Sequence, residues 1–311
     1  MLSRRNIRIK VMQMLYTMSR DKDLQLDEVL VNYRKNIKTS FELYLYNVLQ
    51  LIKIAEYAKN DASQRAAKHL PTEEDKTFTS KIYDNDLIQS IATNSGFWEE
   101  VAGHNLEKRL DVDTIRRYYV DFSKTDEYKA FLKKEDNSPQ DFKNILLLLF
   151  RSCTSNESFD EEMEGLFPCW LDDKSLVVGS MKKTVKALPV KPDFYEGYRP
   201  TNETSVDFGE VLLSKVSNED KELLAIIEPT LKNWDVDRVA IIDMILLKMA
   251  LSELLSFPTI PTKVTLNEFV EISKLYSTDK SKDFINGILD RLMKQLNKDG
   301  KINKEGRGLK E

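Results

Sequence analysis

Apolar residues recur along this chain at helical spacing, with almost no strict alternation. Ser3 can cap a first helix on which Ile7, Val11, Met14, Leu15 and Met18 form one stripe, leaving Arg4, Arg5, Arg8 and Met12 towards another face. A long helix follows through Leu43, Leu45 and Tyr46 to Tyr57 and on towards His69, and Pro71-Thr72 with Glu74 and Asp75 marks a fresh start. Helical patterns then run over 84–101, 112–120, 126–134 and 139–151, the last opened by Ser138 with Pro139 at the first position. Leu171, Leu176, Val177, Met181 and Val185 pattern another helix over 170–188, and Pro189, Pro192, Gly197 and Pro200 make an extended connector.

Beyond the connector, Ser217 with Asp220 reads as the start of a helix reaching Leu231, and Trp234 as a turn. The stretch 236–255 is apolar nearly all round, the pattern of a central bundle helix, interrupted by Asp243. Thr265 with Glu268 has capping-box form ahead of Leu266, Phe269, Val270 and Ser273. A last amphipathic helix places Phe284, Ile288, Leu292 and Leu296 beside Ile285 and Leu289. Gly287 inside it suggests close helix packing, because glycine there costs about 1 kcal/mol relative to alanine.

Composition agrees with an all-α protein: 10 glycines in 311 residues and 41% apolar residues, enough for a sizeable core. The net charge of −4 leaves any nucleic-acid site to a local basic patch. Cys153 and Cys169 lack metal-ligand spacing and lie far in sequence from His69 and His104, so neither a metal nor another cofactor is expected. No nucleophile–base pair or phosphate-binding glycine loop is recognisable, which argues against an enzyme. The longest apolar run, Ile145–Phe150, is far too short to span a bilayer, and no signal-peptide core follows the basic start. A soluble cytoplasmic protein without membrane contact is the expectation.

Three places carry candidate chemistry. Arginines in a first helical turn oppose the macrodipole, so Arg4, Arg5 and Arg8 are explained either as a solvated face or by an external phosphate. Ser281, Lys282 and Asn286 lie at a helix start whose free N–H groups suit an anion, the alternative being a capped start with solvated lysines. Asp243 reads equally as an exposed first-turn carboxylate favouring its helix and as part of a binding surface.

Three collinear segments resemble the transcription antitermination protein NusB family. They are SRRNIRIKVMQMLY at 3–16, the segment 208–255 with Leu247, Ala250, Leu251, Glu253 and Leu254, and KVTLNEFVEISKLYSTDKSKDFINGILDRL at 263–292. The resemblance implies a NusB-like helical bundle from residues 1–24 and 203–296, a mainly helical insertion over 25–202, and a mobile tail over 297–311. It also implies a function: binding boxA-type single-stranded RNA together with NusE, a small-subunit ribosomal protein, on the transcription elongation complex in ribosomal RNA operons. Arg4, Arg5, Arg8, Ser281, Lys282 and Asn286 would then contact RNA, and Asp243 would face the RNA and partner surface. About four phosphate contacts would give a log–log salt slope near −3, roughly a fifty-fold loss between 50 and 200 mM. Asn6, Lys248, Ser252 and Lys280 depart from the family pattern. The alternative is a helical protein-interaction scaffold, or a ribosome-biogenesis RNA-binding factor, that works through the insertion.

Overall fold

The computed structural model describes residues 2–231 and 236–309; Trp234, expected in a turn, lies outside them. All regular structure among the described residues is helical, as the hydrophobic spacing requires. The chain forms two compact units: a bundle of Leu2–Ile37 with Pro200 onwards, and an insertion unit of Lys38–Arg199. Residues 25–37, placed in the insertion by sequence, cluster with the bundle.

The bundle begins with α1 (Arg4–Arg20), and the first turns of α2 (Leu26–Ala66) also belong to it. There Tyr33 donates its hydroxyl to the Ser205 carbonyl at 2.9 Å, and Arg34 clasps Glu210 with two hydrogen bonds. Both partners lie in a six-residue π-helical segment, Ser205–Glu210, the irregular geometry common at functional sites. A Cβ on Gly209 would run into the Tyr33 hydroxyl and the Ile7 side chain, so glycine is what lets this segment approach.

The insertion unit is organised around the middle of α2, where Phe41, Tyr44, Tyr46, Leu49, Ile52, Ala55 and their neighbours are buried on all sides. Around it stand α3 (Glu73–Thr77), α4 (Asp86–Ala92), α5 (Ser95–Gly103), α6 (Val112–Ser123), α7 (Asp126–Lys133), α8 (Pro139–Thr154), α9 (Glu157–Leu166) and α10 (Trp170–Lys186). The fresh start at Thr72 and the expected cap Ser138 each close a capping box, with Asp75 and Asp141 at the third position. The single helix expected over 84–101 is two, because Asn94 accepts from the Phe97 N–H and restarts the chain as α5.

The bundle resumes with α11 (Asn202–Thr204), α12 (Val211–Asn218), α13 (Asp220–Ile227), α14 (Ile241–Ser256), α15 (Thr262–Tyr276) and α16 (Ser281–Lys298). The central helix is α14, packed by α1, α12, α13, α15 and α16 and buried almost continuously from Ile245 to Leu254.

Several local expectations are corrected here. The stretch before α14 is a separate 3-10 turn, Val236–Arg238, so the helix starts later than its apolar run. Ser217 lies inside α12, and α13 starts without a side-chain cap. Thr265 is buried within α15, whose N-cap is Pro261, so its hydroxyl serves a tertiary partner. A Cβ on Gly287 would meet nothing within 4 Å, so close packing does not explain that glycine. The tail folds back as well: the Lys304 ammonium donates to the Leu254 and Phe257 carbonyls, and the Glu305 N–H donates to the Pro258 carbonyl. Its polar composition hid this, because a lysine satisfying the last carbonyls of α14 needs no apolar partner. Burial lowers the Lys304 pKa from its ordinary value.

Candidate functional site

At the start of α1, Ser3 and Asn6 form a reciprocal capping box, with the Asn6 side-chain Oδ1 accepting from the Ser3 N–H at 3.2 Å. Asn6, where the basic run is broken, therefore closes the helix end. The arginines around it fan into three different environments.

Arg8 is 1% exposed. Its Nε and Nη2 each donate to Glu253 at 2.7 Å, and its Nη1 lies 3.6 Å from Glu268. The guanidinium stacks against the Phe208 and Phe269 rings. Glu253 is fully buried on α14 and also accepts the Thr265 hydroxyl at 2.7 Å. Two charges removed from water persist only when paired and hydrogen-bonded in this way, so Arg8 and Glu253 hold α1 against α14 and α15. The expected direct RNA contact by Arg8 is corrected on that ground: its donors point inward.

Arg5 stands one turn nearer the helix start and is half-exposed. Its Nε and Nη2 clasp Glu268 on α15 at 2.7 and 2.8 Å. The hydrogen bond from Arg5 holds the Glu268 carboxyl below the usual carboxylate range, against the opposing effect of burial, and the same bond raises the Arg5 pKa. A guanidinium has five N–H donors, so this fork leaves the Nη1 edge of Arg5 for an external acceptor. Arg4 reaches Glu203 at 3.1 Å, and that carboxylate is 75% exposed. Such a surface pair contributes less than about 1 kcal/mol and exchanges readily for another anion.

The second group lies at the opposite end of α14. Asp243, in its first turn, is buried and accepts the Ser277 and Ser281 hydroxyls at 2.6 and 2.7 Å. With the single Ser281 proton directed to Asp243, the Thr278 hydroxyl 2.8 Å away must donate to Ser281. The cluster ties the α15–α16 loop to the positive end of α14, where a carboxylate is favoured. Asp243 is therefore not an exposed first-turn residue, and neither Asp243 nor Ser281 presents its polar atoms to a partner: both expectations are corrected by burial. Lys282 and Asn286 remain exposed, and their four-residue spacing puts them on one face of α16. Lys280 is exposed as well. Lys248 instead folds onto Asp220 of α13, and Ser252 is buried with no partner for its hydroxyl.

Ten residues of α14 separate Asp243 from Glu253, about 15 Å along the axis at 1.5 Å per residue. The arginines and the Lys282–Asn286 face are thus two patches on one bundle. The sequence reading missed the acidic partners Glu203, Glu253 and Glu268. A glutamate flanked by leucine and alanine positions in the chain's most apolar helix was the available signal for Glu253, since a buried carboxylate demands a cation. No helix among the described residues is long and apolar enough to cross a membrane.

Comparison with known proteins places this architecture. The NusB family model matches residues 166–294. A transcription antitermination protein NusB of Salinibacter ruber is 44% identical over 103 residues, 33% of this chain and 64% of that protein. Its counterpart from Natranaerobius thermophilus is 40% identical over 97 residues, covering 31% of this chain and 70% of the relative. One from Chloroherpeton thalassium is 48% identical over 77 residues, 25% of this chain and 36% of its own length. The matched part of the chain therefore spans about two thirds of the first two relatives, and most of the insertion unit lies outside the match.

Proposed function

The chain belongs to the NusB family, and we propose from that premise that it is a transcription antitermination factor that binds boxA-type single-stranded RNA together with NusE. The relatives named above are antitermination proteins. The observation that carries the reading to this chain is the start of α1, where Arg4 and Arg5 are held at the surface with donors to spare.

RNA phosphate would displace the exposed Glu203 from Arg4 and take the free Nη1 edge of Arg5, while Glu268 keeps that guanidinium oriented. Arg8 acts one step behind, fixing α1 through Glu253 so that the two outer arginines stay in register. Lys282 and Asn286 offer the second patch. The Asp243 cluster fixes the loop that presents them. Sequence would be read from unstacked bases, as is usual for single-stranded RNA. The bundle acts by binding, not turnover, and delivers the RNA and NusE to the elongation complex.

With Arg8 and Ser281 withdrawn from direct contact, about three cations remain in the bundle. Its share of the log–log salt slope is then near −2. So modest a contribution assigns much of the affinity to surface supplied by NusE. The test is Arg4→Gln/Arg5→Gln in the full chain. It should lower affinity for boxA RNA, make the salt slope shallower by roughly 1.4, and leave the fold intact. Unchanged boxA affinity would remove the start of α1 from the interface.

A further inference from the structure

The last two turns of α10 carry Lys182, Lys183 and Lys186, all exposed. Lys182 and Lys186 are four apart and Lys183 and Lys186 three apart, spacings at which helical side chains are neighbours and like charges repel. Lys143 of α8 joins them, because its ammonium donates to the Lys186 carbonyl at 2.9 Å.

The ordinary explanation for lysines in a last turn is that they satisfy the terminal carbonyls. Here that role is already filled. The Ala187 N–H donates to the Lys183 and Thr184 carbonyls, the Leu188 N–H to that of Val185, and Lys143 takes that of Lys186. Among the described residues no carboxylate lies within ion-pair distance of Lys182, Lys183 or Lys186, whereas Lys134 and Lys174 in the same unit each hold an aspartate. The acidic residues of α10, Asp172 and Asp173, lie about 15 Å away at its other end. The patch also lacks what a protein partner would grip: no large apolar side chain between 172 and 205 is exposed, and stable protein interfaces centre on such anchors. Uncompensated ammonium groups without an apolar anchor suit a regularly charged, hydrated polyanion.

We propose that Lys182, Lys183 and Lys186, with Lys143 beside them, form a second contact surface for the phosphate backbone of single-stranded RNA. It acts without sequence preference and adds electrostatic affinity to whatever the bundle reads. Its identification of the polyanion as RNA rests on the function proposed above. Lysine suits this role, since it meets phosphate as a flexible point charge and needs no fixed fork geometry.

The test uses the full chain, a boxA-bearing single-stranded RNA and a scrambled RNA of the same composition, titrated between 50 and 200 mM salt. Lys182→Gln/Lys183→Gln/Lys186→Gln should make the salt slope shallower by about 2 for both RNAs, three contacts at roughly 0.7 each. The ratio of boxA to scrambled affinity should not change, and the triple arginine variant should restore the slope. An unchanged slope in the glutamine variant overturns the proposal and leaves the patch to an acidic protein, as does a loss confined to boxA RNA. The two readings separate cleanly. A wild-type chain without boxA preference whose binding still depends on these lysines defeats the antitermination reading alone; retained boxA preference with an unaltered slope defeats the second surface alone. A wild-type chain that binds neither RNA defeats both.

Discussion

The start of α1 and the end of α10 both gather three cations within two turns of helix, yet the two clusters are built differently. At α1 each arginine meets a carboxylate: Arg4 and Arg5 stay at the surface, while Arg8 is sealed between Glu253, Phe208 and Phe269. At α10 the lysines are exposed, and the carbonyls they could have capped have other donors. A basic cluster read from sequence is therefore not yet a nucleic-acid site. What decides is which donors remain after counter-charge from residues hundreds of positions away has been met: Arg8 has spent its own on the buried Glu253, whereas Arg4 and Arg5 keep theirs at the surface.

The sharpest way to break this contrast is Arg8→Ala. Removing one partner of a buried ion pair leaves an uncompensated charge, so the bundle should lose about 3–5 kcal/mol in denaturant unfolding. A variant as stable as the wild type that had nevertheless lost RNA binding would return Arg8 to the interface. Ser281→Ala comes next. It deletes a hydrogen bond to the buried Asp243 carboxylate and should cost about 1.5–3 kcal/mol by the same measurement. Wild-type stability would mean that the α15–α16 loop is held by something else.

Glu268→Gln has a smaller, pH-dependent effect. Because the folded-state pKa of Glu268 is depressed by Arg5, its ionised form stabilises the bundle above the unfolded value of about 4.3, and that contribution disappears as pH falls through the lower folded value. The wild-type advantage over Glu268→Gln should therefore be below about 1 kcal/mol at neutral pH, given the partial exposure of the pair, and should vanish on acidification. An advantage that grows in acid would contradict the assignment. Smallest of all, Lys182→Gln/Lys183→Gln/Lys186→Gln should change stability by no more than about 0.5 kcal/mol, since these side chains touch no carboxylate. A large loss would give them a structural role that the α1 arginines share.

The NusB-like part was read by resemblance from the segments 3–16, 208–255 and 263–292, whereas the all-helical fold was legible because it rests on local signals, apolar residues at helical spacing and cap residues such as Ser3 and Ser138. The same pattern misled at Thr265, where the hydroxyl turns to Glu253 and the apparent box partner Glu268 turns to Arg5. Arg5 and Glu268 are 263 positions apart and Arg8 and Glu253 are 245, so the candidate site could be named but not wired from sequence. Asp243 illustrates the limit. Its place in the first turn of α14 was readable, but its burial follows from two serines on a distant loop.

The most direct test of the account is a binding titration of boxA-bearing and scrambled single-stranded RNA with the full chain, in the presence and absence of NusE. Preference for boxA that tightens when NusE is added is the predicted result. Equal and feeble binding of both RNAs, unchanged by NusE, would contradict it.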